Sequence, residues 1–138
     1  MTDFLPILQV PGIRFYSLQV GVREALRMQH RAADLKQLPP EITVEDLSPH
    51  IKNYSDTAAI VSQLDLIISV DTSVAHLAGA LAKPVWTLLC YNPDWRWMLE
   101  REDTPWYPTM RLFRQSQPGD WEGVFRRVKR ELLEFADR

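Results

Sequence analysis

A chain of 138 residues, 46% apolar and 25% charged, is long enough to bury a core and too apolar for wholesale disorder. Its formal net charge of −2 lacks the basic excess of a general nucleic-acid or anionic-membrane binder. The lone cysteine, Cys90, excludes an intrachain disulfide and a cysteine-based metal site and fits a reducing, cytoplasmic setting. The apolar opening residues are few, carry Asp3 and are interrupted by Pro6, so they read as neither a signal peptide nor a membrane span.

Leu5 to Val10 is a short apolar segment between prolines, readable as the tail of a helix that begins outside this chain. Gly12 to Leu18 is rich in β-formers and predicts a strand, with Gln19 and Gly21 at its C-terminal mouth. Residues 20–40 are ambiguous. Val22, Ala25, Leu26, Ala32, Ala33 and Leu35 make a thin helical stripe, and a mobile connector is the alternative. Pro39-Pro40 breaks the chain, and Ile42 to Leu47 alternates as a short strand near an edge does.

After a turn-rich loop, Ser55 or Asp56 is placed to cap a helix running to about Leu64, with Ala59, Ile60, Val61 and Leu64 facing inward. Leu66 to Val70 is an apolar run broken only by Ser69, as in a parallel strand covered on both faces. Asp71 then stands where a helix N-cap belongs, and a small-residue helix follows to Leu81. Val85 to Leu89 is another apolar strand, residues 90–109 a long aromatic loop, and Met110 to Phe113 a short strand. Pro118-Gly119-Asp120 leads into a last helix whose apolar positions Trp121, Val124, Phe125, Val128 and Leu132 recur at helical spacing.

This alternation predicts one α/β domain over residues 1–138, with a three-layer, Rossmann-like parallel sheet and helices on both faces. In such sheets ligands sit outside the carboxyl ends of the strands. The Asp71 turn lies at such an end, and so does Gln19. Thr72 and Ser73 fall where backbone N–H groups lack intrahelical partners and the helix dipole favours an anion. His76, four residues after Thr72 and three after Ser73, shares their face. The plain alternative is ordinary helix capping by Asp71, with His76 a half-buried structural residue. In the aromatic loop, Trp95 and Arg96 suit a rim that stacks a base or sugar and meets phosphate, whereas most other aromatics there suit wedges that pin the loop. The sequence carries no Gly-rich phosphate loop, no Walker lysine and no metal-ligand spacing.

The run Asp71-Thr72-Ser73-Val74-Ala75-His76-Leu77-Ala78-Gly79-Ala80-Leu81-Ala82-Lys83-Pro84-Val85-Trp86 resembles the nucleotide-sugar half of the family-nine, heptosyltransferase-like glycosyltransferases. The runs Tyr16-Ser17-Leu18-Gln19, Asp56-Thr57-Ala58-Ala59, Pro93-Asp94-Trp95-Arg96-Trp97, Pro105-Trp106-Tyr107-Pro108 and Leu112-Phe113-Arg114-Gln115 resemble bacterial proteins that join such a domain to tetratricopeptide repeats. The resemblance spans roughly residues 12–136. It implies one half of a two-Rossmann GT-B fold, with Asp71, Thr72, Ser73 and His76 lining the donor diphosphate site. It implies a nucleotide sugar as substrate, no cofactor and no metal. Its expected partners are an N-terminal Rossmann half, which this chain lacks, and tetratricopeptide repeats, with the catalytic base supplied from outside these residues.

Two positions depart from the family pattern. Heptosyltransferases usually carry Gly where this chain has Ser73, which narrows the backbone's approach to phosphate and adds a hydroxyl donor. Ala82 stands where relatives often carry Gly, and a left-handed conformation there costs about 1–2 kcal/mol. Two functions follow as expectations: a donor-binding half that transfers nothing alone, or a non-catalytic nucleotide-binding or protein-interaction module derived from that fold.

Overall fold

Apolar runs and helix punctuation set the element order. The computed structural model describes residues 5–18, 42–91, 97–98 and 101–137. Helix α1 (Leu5–Leu8) is followed by strands β1 (Phe15–Ser17) and β2 (Val44–Asp46), and a 3₁₀ turn at Ser48–His50. Helix α2 (Tyr54–Val61), strand β3 (Ile67–Val70) and helix α3 (Ser73–Ala80) come next, then strands β4 (Val85–Leu89) and β5 (Met110–Arg114) and helix α4 (Trp121–Ala136). Every strand expected from the sequence is present: β1, β2 and β3 are shorter than expected, β4 has the expected bounds, and β5 runs one residue further, to Arg114. Residues 20–40, read from the sequence as a thin helix or a connector, lie outside the described residues.

Among the described residues all strand pairing is parallel. β1 pairs with β2 in the register Phe15–Val44, and β3, β4 and β5 form a three-stranded sheet in that order. Parallel sheets with intervening helices place the chain in the α/β, Rossmann-like class. By internal packing the chain divides into two compact units, Met1–Lys52 with Val128–Arg138, and Asn53–Arg127. In the first unit Ile7, Val10, Ile51 and Leu132 are buried, and the β1–β2 ladder is continued by the Leu47 N–H donating to the Ser17 carbonyl at 3.0 Å.

In the second unit the core is built around β4, all five of whose residues are buried. Its neighbours Ile67, Met110, Leu112 and Phe113 are buried beside it. β4 is therefore the strand covered on both faces. The sequence assigned that place to β3, yet only Ile67 of β3 is buried and Val70 is exposed. An apolar run reports affinity for the core and carries no information on strand order, and β4 takes the middle position.

Two helix starts differ from expectation. Asn53, not Ser55 or Asp56, caps α2, its side-chain oxygen accepting from the Asp56 N–H at 3.0 Å. Several cap-capable residues stand together here, and the one nearest the preceding turn takes the role. The helix then buries Thr57 and Val61 and leaves Ala59 exposed. For α4 four of the five expected stripe positions, Val124, Phe125, Val128 and Leu132, are buried, and Trp121 is half-buried. Gly119 adopts φ +80° just before it, and Asp120 Oδ1 accepts the Gly123 N–H at 3.0 Å, satisfying a first-turn amide.

Helix α3 ends in a Schellman motif. The Lys83 N–H donates to the Ala78 carbonyl and the Ala82 N–H to the Gly79 carbonyl, each at 3.0 Å. Ala82 takes the left-handed conformation this requires, with φ 56°. Among the described residues no helix is long and apolar enough to cross a membrane, and no cluster of His, Cys, Asp or Glu is placed to hold a metal ion.

Two outcomes test these local arguments. Ala82→Gly relieves the left-handed strain but loosens the unfolded chain, so equilibrium denaturation is expected to show a net gain of about 0.5–1 kcal/mol. The Ser116 hydroxyl and the Gly123 N–H hold the Asp120 carboxyl below its usual range. Its stabilising contribution is therefore full above the ordinary carboxylate value of about 3.9 and is lost as pH falls through the lower folded value. Urea midpoints of the wild type and Asp120→Asn are expected to differ near neutrality and converge in acid.

Candidate functional site

The turn between β3 and α3 lies within the second unit, at the carboxyl end of a parallel strand. Thr72 is the N-cap residue, with extended backbone at φ −137° and ψ 172°, and makes no side-chain cap bond. Ser73 is the first helical residue. Asp71 is thus one position too early to cap, and the expectation that it initiates the helix is corrected. Its carboxylate is engaged elsewhere. Oδ2 accepts the indole N–H of Trp97 at 2.9 Å, and Oδ1 lies 3.3 Å from Nε2 of His76.

The two hydroxyls of the turn differ in what they have left to donate. Ser69 Oγ donates to the Val70 carbonyl at 2.8 Å and lies 2.9 Å from Thr72 Oγ1. A hydroxyl has one hydrogen. With Ser69's directed to Val70, the Thr72 hydroxyl is the donor of the second bond and has no hydrogen left for a ligand. Ser73 is exposed, and its hydroxyl has no partner among the described residues. The first intrahelical acceptor, the Thr72 carbonyl, receives the N–H groups of Ala75 at 3.1 Å and His76 at 3.4 Å. The amides of Ser73 and Val74 precede the first intrahelical bond, at the positive end of the helix dipole.

His76 sits inside a ring of partners. Nδ1 lies 3.1 Å from the Tyr107 hydroxyl. Trp97 stacks on the imidazole with centroids 5.2 Å apart and planes 26° apart, and Tyr107 meets it edge-on at 5.7 Å. Tyr107 can lie there because residue 79 is glycine. A Cβ at Gly79 would fall 2.5 Å from Cγ of the tyrosine ring. Trp97 is 1% exposed. Arg114, at the end of β5, donates to the Trp97 carbonyl and, at 2.7 Å, to the Arg101 carbonyl. Burial pushes the Arg114 guanidinium down from its usual value, and it remains cationic. Gln115 Oε1 accepts the amides of Tyr91 at 2.9 Å and Gly119 at 3.2 Å, tying the chain after β4 to the turn before α4.

Asp71, Thr72, Ser73 and His76 therefore share one turn, with Asp71 and His76 in contact. Gln19, Trp95 and Arg96 lie outside the described residues. Trp97 and Tyr107 join the turn from the aromatic loop. Sequence reasoning grouped them with the loop-pinning aromatics and did not single them out. Asp71 and Trp97 are 26 residues apart, and nothing local distinguishes Trp97 from Trp106, which is 52% exposed. The one usable signal was Gly79 inside a helical pattern, which marks a close approach by a neighbouring group.

Comparison with known proteins gives this turn its setting. The model of glycosyltransferase family 9 (heptosyltransferase) matches residues 25–128. The chain is 33% identical over 131 residues to Protein FlbA of Caulobacter vibrioides, a match that covers 95% of this chain and 21% of FlbA. The chain thus spans about a fifth of the length of that curated relative. No solved structure matches it. With more than half of its residues within the family match, including the whole of the β3–α3 turn, the chain belongs to glycosyltransferase family 9, the heptosyltransferase family.

Proposed function

We propose that this chain is the donor-binding half of a glycosyltransferase, in which the N-terminus of α3 receives the diphosphate of a nucleotide sugar. The observation that carries this reading is the exposed Ser73 hydroxyl beside the first-turn amides, with the neighbouring Asp71 carboxylate engaged by Trp97 and His76. A carboxylate facing the ligand would repel phosphate. One that accepts the Trp97 indole N–H and lies 3.3 Å from the His76 ring leaves the dipole and the amides to act on an anion. The same groups would stabilise charge developing on the departing diphosphate.

In this reading Gln19, Trp95 and Arg96 form the donor rim, no metal is required, and the protein works in the cytoplasm. A second Rossmann half, completing a GT-B enzyme, supplies the acceptor site and the catalytic base, and tetratricopeptide repeats accompany it. The 138-residue chain alone binds donor and transfers nothing. A second reading, a non-catalytic interaction module, is favoured by the exposure of Trp106 at 52% and Tyr91 at 47%, since exposed aromatics serve as anchors for protein partners.

A titration followed by amide resonances separates the two. The Ser73 and Val74 amides are expected to shift with uridine or adenosine diphosphate and to stay in place with the nucleosides alone. Ser73→Ala is expected to weaken diphosphate binding by about tenfold, the loss of one hydrogen bond to a charged group. Silence towards every nucleotide would favour the interaction module. Sugar transfer by the isolated chain would refute its inactivity.

A further inference from the structure

Both ring nitrogens of His76 are occupied within the protein. Nε2 faces Asp71 Oδ1 at 3.3 Å and Nδ1 faces the Tyr107 hydroxyl at 3.1 Å. The negative charge of the carboxylate at that distance favours a hydrogen on Nε2 over a bare lone pair. In the neutral ring Nδ1 is then an acceptor, and the Tyr107 O–H donates to it. Trp97 closes the array. Its indole N–H binds the other oxygen of Asp71 at 2.9 Å while its ring stacks on the imidazole. Tyr107 is seated on the bare backbone of Gly79, and the Trp97 carbonyl is held by Arg114. The two aromatic residues are thus fixed from behind as well as from the front.

We propose that Trp97 and Tyr107 are positioning residues of the donor turn: with Asp71 they lock His76 as the Nε2–H tautomer, so that the imidazole braces the turn and the diphosphate falls to Ser73 and the first-turn amides. The clause on the diphosphate rests on the donor-binding reading; the lock does not. A histidine beside a phosphate site is readily taken for a phosphate donor, but here Nδ1 is bonded to Tyr107 and Nε2 faces the Asp71 carboxylate. Thr72 is in the same position, its hydroxyl hydrogen directed to Ser69. Of the four residues of the turn, Ser73 alone keeps an uncommitted donor side chain among the described residues.

Long-range nitrogen–proton correlation spectra of the ligand-free chain, in mildly alkaline buffer, test the lock. The expected pattern for His76 is a protonated Nε2 and an acceptor Nδ1 displaced by its hydrogen bond. Tyr107→Phe, which removes only the hydroxyl, is expected to move Nδ1 to the position of an unbonded acceptor. A proton on Nδ1, or an Nδ1 resonance indifferent to Tyr107→Phe, overturns the lock. The wild-type spectrum decides the tautomer even where the variant fails to fold. Uridine diphosphate then serves as the probe. A shifted Ser73 amide with unmoved ring nitrogens supports the division of labour, and ring nitrogens that move to doubly protonated positions overturn it. Silence towards the probe counts against the donor-binding reading and leaves the lock standing on the ligand-free spectrum.

Discussion

A carboxylate next to a helix N-terminus competes with any anion that would bind there, and the Asp71 side chain resolves the conflict by turning to Trp97 and His76. The turn depends on this arrangement. It draws the buried Trp97 against the imidazole, orients His76 towards Tyr107, and leaves the first-turn amides of α3 without an acidic neighbour of their own. The pair is about one-third exposed on each side chain, so its worth is geometric rather than a large energy. A partly solvated contact between a carboxylate and an imidazole is screened, but a stack, an indole hydrogen bond and a phenol hydrogen bond meeting on the same two residues leave few alternative orientations.

The turn is held on a rigid support. β4 is buried along its whole length, and β3 and β5 lie on either side of it. Parallel strands must be joined by crossovers, and these bring the chain back across the sheet so that β3, β4 and β5 end at the same rim. At that rim the helix behind β3 begins, the aromatic loop behind β4 departs, and Arg114 terminates β5. Arg114 and Gln115 bind backbone groups of neighbouring segments, which fixes loop positions independently of loop sequence. The family match covers β3, β4 and β5 and the turn at this rim.

Much of this was legible in residue order alone. Val85 to Leu89 announced an apolar strand, and Val124, Phe125, Val128 and Leu132 announced the inner stripe of α4, because burial on a periodic element leaves a periodic trace. Ala82 at the end of α3 was readable as a strained position and has φ 56°. The cap residues were less legible. Ser, Thr, Asp and Asn have similar capping strength, so composition identified the neighbourhood of the turn and not whether Asp71 or Thr72, or Asp56 or Asn53, would stand at its apex. The relative burial of β3 and β4 was also hidden, since two apolar runs of similar length differ only in where the sheet places them.

The sequence by itself determined the α/β order, the helix starts to within two or three residues, and a turn bearing Asp71, Thr72, Ser73 and His76 at a strand end. Those are local properties, written in side-chain chemistry at short spacing. Tertiary structure decided the roles within that turn. It directed the Asp71 carboxylate to an indole 26 residues away and His76 to a phenol 31 residues away, and it buried Trp97 while exposing Trp106. Hydrogen-bond donors and acceptors have no memory of sequence distance. Which ones meet is set by close packing across the fold, and a glycine at residue 79 is what let the tyrosine ring come near enough to count.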